Sequence, residues 1–155
     1  AEDGKSFTEV WSTNERRKKN RRLDPVLGIH WTTPILHDGH LYAFSGRDEP
    51  DAYFRCVELE SGRVKWSRDE RWQKRGGKQP NVYGRGSAVM ADGRLFVLGE
   101  GGLLGLFEVN AEKPVELGRH QVPELRYPCW AAPILSDKRM VIRSEDYLIC
   151  FDVAK

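Results

Sequence analysis

The sequence has few cysteines, no long apolar run and almost no excess of charge of one sign. Its three cysteines, Cys56, Cys129 and Cys150, lack the CxxC spacing of zinc sites and indicate no disulfide framework, so we expect buried residues or free thiols. No segment approaches the roughly 20 apolar residues of a membrane-spanning helix. The net charge of +2 does not indicate a general attraction to nucleic acid, and we expect no nucleic-acid partner.

Signatures of catalysis, targeting and helix are also missing. The sequence contains no G-x-S-x-G elbow, no H-E-x-x-H motif and no P-loop, so it predicts neither a catalytic residue nor a metal site. Residues 1–5 do not resemble a signal peptide, from which we expect a mature product, a truncated polypeptide or a cytosolic protein. Apolar residues follow no helical period, which predicts an all-β fold.

What the sequence does contain is an internal repeat. Residues 31–44 return as residues 130–143, both with the pattern Trp-x-x-Pro-Ile-Leu-x-Asp, and residues 86–98 follow the same pattern without proline. The turn dipeptides that begin with Asp38, Asp92 and Asp137 lie about 50 residues apart, a period typical of propeller blades. In each unit, two β-type runs flank such a turn, which predicts a tight hairpin.

Two further runs complete each unit. A third run covers residues 53–59, 103–109 and 147–153, and it places Cys56 and Cys150 at one repeat position. A fourth run covers residues 61–66 and, in a degenerate form, 114–117. We therefore predict one partial propeller with a leading outer strand at 6–11, blades at 29–67 and 84–119, and three strands of a further blade at 129–153.

These twelve predicted strands amount to three blades, fewer than the four to eight that close a propeller ring. Two interpretations remain open. Either the chain is the C-terminal part of a longer propeller, or copies assemble head to tail, so that the leading strand of one completes the last blade of another. Both would pair blade edges that otherwise stay open.

The run Glu58-Leu-Glu-Ser-Gly-Arg-Val-Lys-Trp66, together with the Trp-x-x-Pro-Ile-Leu-x-Asp-Gly-x-Leu-Tyr pattern, resembles the PQQ-like (pyrroloquinoline-quinone) repeat. The resemblance covers most of residues 29–153 and is greatest to the C-terminal blades of bacterial PQQ-binding-like propeller proteins. It implies a WD40-like ring of four-stranded blades and a periplasmic or otherwise extracytoplasmic location. It also implies that Trp11 and Trp66 dock neighbouring blades, whereas Leu117 departs from that pattern.

The resemblance specifies architecture better than activity, because fold does not fix function. A quinoprotein dehydrogenase of this family needs a catalytic Asp, calcium ligands and usually a disulfide between adjacent cysteines, and none of these can be assigned here. We therefore expect a non-catalytic binding or scaffolding module without a cofactor. The alternative is part of a PQQ-dependent alcohol dehydrogenase, with PQQ and calcium held by further blades. A third hypothesis is a ring-forming structural subunit.

Binding is expected on the face formed by the loops that join the outer strand of one blade to the inner strand of the next. Those loops are basic and contain aromatic residues, which suits an anionic polysaccharide or an acidic protein. The alternatives are that the loops are merely solvated, and that Trp31 and Trp130 only pack near the channel. The candidate residues are Arg16, Arg17, Lys18, Arg21, Arg22, Trp31, Arg71, Trp72, Lys74, Arg75, Lys78, Tyr83, Arg85, Arg126 and Trp130.

Overall fold

All regular structure in the computed structural model is β-strand. The structure describes residues 7–12, 26–46, 51–72 and 81–154, and these ranges contain eleven strands and no helix. They accordingly contain no helix long and apolar enough to cross a membrane. The prediction of an all-β protein is confirmed.

The strands form three antiparallel sheets in chain order, which we call blades 1, 2 and 3. Blade 1 contains β1 (Ile35–His37), β2 (His40–Ser45), β3 (Tyr53–Glu58) and β4 (Val64–Asp69). Blade 2 contains β5 (Ser87–Ala91), β6 (Arg94–Leu98), β7 (Leu103–Glu108) and β8 (Val115–Gln121). Blade 3 contains β9 (Ile134–Ser136), β10 (Arg139–Arg143) and β11 (Leu148–Asp152).

The turn dipeptides form the hairpins that the sequence predicts. Asp38 and Gly39 have φ angles of 43° and 71°, and the two equivalent residues of blades 2 and 3 also have positive φ. Two consecutive positive φ angles match the right-handed twist of the flanking strands. In blade 3 the second turn position is Lys138, which adopts a φ of 62° without the freedom of glycine.

The three blades repeat the same closing hydrogen bond after the third strand. Leu59 N donates to Gly39 O over 2.8 Å, and Val109 N donates to Gly93 O over 3.1 Å. Val153 N donates to Lys138 O over 2.9 Å. The third strands β3, β7 and β11 are therefore structurally equivalent, as the sequence repeat predicts.

The blades pack face to face in chain order, with β5 in contact with both β1 and β9. One apolar cluster lies between blades 1 and 2 and includes Tyr42, Phe44, Phe54, Cys56, Tyr83, Leu95, Val97, Leu103 and Phe107. A second cluster lies between blades 2 and 3 and includes Leu98, Val122, Leu125, Cys129, Met140 and Ile142. Stacked, separate sheets with their cores between them are the arrangement of a partial β-propeller.

Blade 3 differs from the other two because β11 has no outer neighbour among the described residues. The predicted leading strand at 6–11 also differs from expectation, since residues 7–12 form no strand and residue 6 lies outside the described ranges. A strand requires a hydrogen-bonded neighbour, and no described strand lies beside residues 7–12. The structure therefore has one segment without a sheet and one sheet edge without a strand.

Candidate binding site

Three side chains at one repeat position converge beside the starts of the inner strands. Trp31, Arg85 and Trp130 each lie seven residues before the aspartate of their blade's hairpin turn. The rings of Trp31 and Trp130 are 5.4 Å apart between centroids, and the guanidinium carbon of Arg85 lies 4.8 Å from the Trp31 ring centroid. The repeat thus brings two indoles and one guanidinium, from three different blades, to one place.

Further aromatic rings extend this cluster across the surface. Tyr127 lies 6.0 Å from Trp130 and 5.6 Å from Trp72, and His30 lies 4.9 Å from Trp31, all measured between ring centroids. We call His30, Trp31, Trp130, Tyr127 and Trp72 the aromatic row. Tyr127 and Trp130 remain 42% and 45% exposed, so the middle of the row is accessible to a ligand.

Two indole nitrogens of the aromatic row are buried without a hydrogen-bond acceptor. Trp31 Nε1 and Trp72 Nε1 have no partner in the part of the chain that the structure describes. A buried donor left unpaired costs about 1–3 kcal/mol, and native proteins retain few such groups. Because both nitrogens are buried, a ligand oxygen could accept from them only after the rings move.

Arg85 is held in position by a buried carboxylate. Glu100 is 1% exposed, and its Oε2 lies 3.0 Å from Arg85 Nη2. Glu100 Oε1 also accepts the backbone N–H of Arg85 over 2.9 Å. The preceding residue, Gly84, has a φ of +65°, and a Cβ there would lie 2.6 Å from Glu100 Oε1 and 2.7 Å from Trp72 Nε1. A glycine is therefore needed between the carboxylate and the indole.

Two of the three described arginines of the predicted binding face, Arg71 and Arg85, have carboxylate partners. Arg71 forms a bidentate pair with Asp69, and hydrogen bonding to that carboxylate raises the pKa of Arg71. Arg85 pairs with Glu100, as described above. Arg126 lines a surface groove that also contains Glu124 and Asp146. Arg71 and Arg85 therefore do not contribute uncompensated positive charge to this face.

The other basic candidates lie outside the described residues, and their positions stay a prediction. They are Arg16, Arg17, Lys18, Arg21, Arg22, Lys74, Arg75 and Lys78.

Tyr83 does not lie on the predicted binding surface. Its side chain is completely buried in the core between blades 1 and 2, because its ring packs on Phe44 and Phe107. The backbone carbonyl and N–H of Tyr83 bond to Glu100 N and Glu70 Oε2, over 3.0 and 2.9 Å. Tyr83 is thus a core residue whose backbone contacts Glu100, the partner of Arg85.

The phenol of Tyr83 belongs to a charged network that the sequence did not reveal. Its hydroxyl donates to Glu116 Oε1 over 2.8 Å, and Arg68 Nη1 lies 2.6 Å from Glu116 Oε2. Burial opposes ionisation of Glu116, but hydrogen bonds from Arg119, Tyr83 and Arg68 outweigh it and lower the pKa of Glu116. Burial raises the pKa of Glu70, whose Oε1 lies 2.8 Å from Arg68 Nε.

The docking tryptophans hold neighbouring elements together. Trp66 Nε1 donates to Asn110 O of blade 2 over 2.9 Å, while its ring packs on Phe54 at 5.2 Å between centroids. Trp11 Nε1 donates to Leu59 O of blade 1 over 2.6 Å. The ring of Trp11 lies against Gly62, where a Cβ would approach it to 2.8 Å. Both tryptophans therefore contact the end of a third strand or the turn that follows it.

The counterpart of Trp66 in blade 2 is Gly118, not Leu117. Trp66 pairs with Cys56 across β3 and β4, and Gly118 pairs with Leu106 at the equivalent position of β7 and β8. Both sheets have an irregularity just beyond this pair, which shifts the register by one residue. Trp66 lies eight residues after the end of β3, whereas Gly118 lies ten residues after the end of β7, so the longer connection in blade 2 displaces the counterpart along the sequence.

The described residues contain no group of three or more His, Cys, Asp or Glu side chains that could hold a metal ion. Calcium sites usually include several carboxylates, and the described residues contain no such cluster. The three cysteines are free thiols, of which Cys56 and Cys129 are buried. Burial raises the pKa of Cys129 to about 11, which disfavours its reactive thiolate form.

The stacked sheets and the repeat-related site place the chain in the class of β-propeller proteins, as a partial propeller. No family model and no curated protein sequence matches it. Its structure is similar to that of a europium-containing methanol dehydrogenase, a PQQ-type propeller, with a TM-score of 0.50 and 15% identity. That match covers 77% of this chain and 22% of the dehydrogenase chain. The chain thus spans about a fifth of that protein.

A computationally designed protein, Ika4, is also similar, with a TM-score of 0.43 and 9% identity. The match covers 83% of this chain and 96% of the designed one.

Proposed function

We propose that the chain is a non-catalytic propeller module that binds a partner at the aromatic row. The observation that carries this proposal is the convergence of Trp31, Arg85 and Trp130, three repeat-equivalent residues, next to the exposed ring of Tyr127. A surface that is aromatic and partly exposed is complementary to a ligand that brings flat apolar faces.

The ligand class that fits best is an anionic polysaccharide. Sugar rings stack on exposed indole and phenol rings, and sulfate or carboxylate groups pair with basic side chains. In the sequence, Lys74, Arg75 and Lys78 follow Trp72 within six residues, and we propose that they add positive charge to the site. An acidic protein shares the charge but lacks sugar rings, and it is the competing ligand class.

Binding to heparin, measured by calorimetry at low and at physiological salt, tests this proposal. We expect binding that weakens with salt, and a loss of about tenfold in affinity for Trp130→Ala. Tyr147→Ala is the matched control, because Tyr147 is 52% exposed and lies outside the aromatic row. No binding of heparin at low salt would overturn the proposal, as would equal losses in the two variants.

A polyglutamate peptide and neutral dextran separate the ligand classes in the same assay. An anionic polysaccharide site binds heparin more tightly than polyglutamate and more tightly than dextran. Preference for polyglutamate overturns the polysaccharide in favour of an acidic protein. Preference for dextran shows that the anionic groups contribute nothing.

A second candidate function is supported by the likeness to the methanol dehydrogenase. In this hypothesis the chain contributes blades to a quinoprotein-like dehydrogenase, and further blades bring the calcium ligands and the quinone. The described residues alone do not supply a calcium site. The test adds PQQ and calcium to the chain and measures dye reduction with an alcohol. Sustained turnover would favour the dehydrogenase over the binding module.

The resemblance to PQQ-like repeats also leads us to propose an extracytoplasmic location. Fractionation of cells that produce the natural protein, followed by immunodetection, tests this. Recovery in the cytoplasm alone contradicts it.

A further inference from the structure

We propose that the outer edge of β11 binds residues 7–12 of a second copy of this chain as an added antiparallel strand. This pairing concerns assembly and is independent of the ligand proposed above.

The β11 edge is open, whereas the same edge of blade 1 is covered. Cys56 in β3 is completely buried and pairs with Trp66 of β4. Cys150 occupies the equivalent position in β11, since it pairs with Val141 of β10 as Cys56 pairs with Tyr42 of β2. Cys150 is exposed, and the neighbouring Leu148 is 73% exposed. An open edge with apolar side chains is a ready site for another strand.

Residues 7–12, by contrast, are a segment that joins no sheet among the described residues. Trp11 docks on blade 1 much as Trp66 of β4 docks on blade 2, with its indole N–H on a backbone carbonyl at the end of the third strand. The segment therefore lies where the outer strand of a preceding blade would lie, but no described strand stands beside it. Phe7 and Val10 are 102% and 78% exposed, as expected for a strand without its sheet.

The sequence of the segment also fits the β11 edge. The dipeptide Trp11-Ser12 repeats the Trp66-Ser67 dipeptide of β4. In blade 1, Trp66 faces Cys56, and Ser67 faces Arg55 with 3.1 Å between Oγ and Nε. Transferred to blade 3, this register places Trp11 of one copy opposite Cys150 of the other.

The same register places Ser12 opposite Ile149. Two copies that exchange this segment would join six blades in one closed ring, which is within the usual range of blade numbers.

A disulfide between copies tests both the pairing and its register. One variant carries Ser12→Cys and the other, with a different tag, carries Ile149→Cys. Both variants also carry Cys150→Ser, and they are mixed before oxidation. Directly opposed residues have Cβ atoms about 4.5–5.5 Å apart, close enough for a disulfide to form with a small adjustment. We expect a disulfide-linked heterodimer under mild oxidation.

The matched control mixes Ser12→Cys copies with copies that keep native Cys150 and Ile149. Side chains alternate between the faces of a strand, so Cys150 points away from position 12 and should not crosslink. Equal crosslinking in both mixtures overturns the register, and crosslinking in neither overturns the pairing.

Light scattering of the unmodified chain gives an independent measurement. We expect twice the 17.8 kDa mass of one chain, and a single-chain mass would overturn the proposal. A series of larger, open assemblies would overturn the two-copy ring. Cys150→Glu should raise the dissociation constant of the dimer at least about tenfold, because the charge would be buried beside Trp11. The exposed position of Cys150 leaves folding of the single chain intact.

Discussion

Replacing Gly84 with alanine tests how tightly the candidate site is packed. The backbone at Gly84 has a φ of +65°, and an L-residue in this region costs roughly 1–2 kcal/mol. The added Cβ would also lie 2.6 Å from Glu100 Oε1, the oxygen that accepts the backbone N–H of Arg85. Displacing a buried carboxylate from its donors costs about 1–3 kcal/mol. We expect a total loss of about 3 kcal/mol in the free energy of unfolding.

Gly93→Ala separates the two contributions. Gly93 has a φ of +68°, almost the same as Gly84, but a Cβ there would meet no atom within 4 Å. This variant should therefore lose only roughly 1–2 kcal/mol, the backbone part alone. Urea denaturation followed by circular dichroism gives both values. If the two variants lose the same free energy, the contact of Gly84 with Glu100 and Trp72 is not tight, and the reasoning is refuted.

Three further predictions concern stability. Trp66→Phe keeps an aromatic ring but removes the hydrogen bond to Asn110 O, so the free energy of unfolding should fall by about 1 kcal/mol. An unchanged urea midpoint would contradict the docking role of Trp66. Lys138 adopts a φ of 62°, which glycine tolerates better, so Lys138→Gly should raise the melting temperature. A lower melting temperature would contradict strain at this turn. Although burial opposes ionisation of Glu116, its hydrogen bonds lower its pKa, so its stabilising effect is lost as pH falls through that lowered pKa. Glu116→Gln should flatten the acid limb of the stability profile, and an unchanged limb would contradict the network.

The blade architecture was predictable because local chemistry determines it. Asp38-Gly39 and its two counterparts adopt the positive φ angles that tight hairpins require, and apolar β-type runs flank each turn. These signals are local, so they can be recognised in a single sequence. The fold class followed from their spacing.

What the sequence could not show were the features that depend on register and on long-range pairing. The irregularity beside Leu106 shifts the pairing of β8 by one residue, which is why Gly118 and not Leu117 lies opposite Leu106. Similarly, residues 7–12 have the composition of an outer strand, yet a strand forms only beside a partner.

The candidate site was predictable in part. Alignment of the repeats places Trp31, Arg85 and Trp130 at one position, which is the signal that they converge. The partner of Arg85 was not predictable, because Glu100 lies fifteen residues away and reaches Arg85 only through the hairpin of blade 2. Tyr83 was misplaced because an aromatic residue in a basic loop looks the same in sequence whether it is exposed or buried.

These carboxylate pairs change how salt should act on binding. Arg71 and Arg85 are already neutralised by Asp69 and Glu100, so they release few counterions when an anionic ligand binds. If the proposed anionic ligand binds, we expect its salt sensitivity to depend on the other basic candidates, such as Lys74, which follows Trp72 by two residues in the sequence. Stacking on the aromatic row, by contrast, should persist at high salt. If the chain binds an anionic ligand as proposed, the charge contribution and the stacking contribution should therefore respond differently to salt.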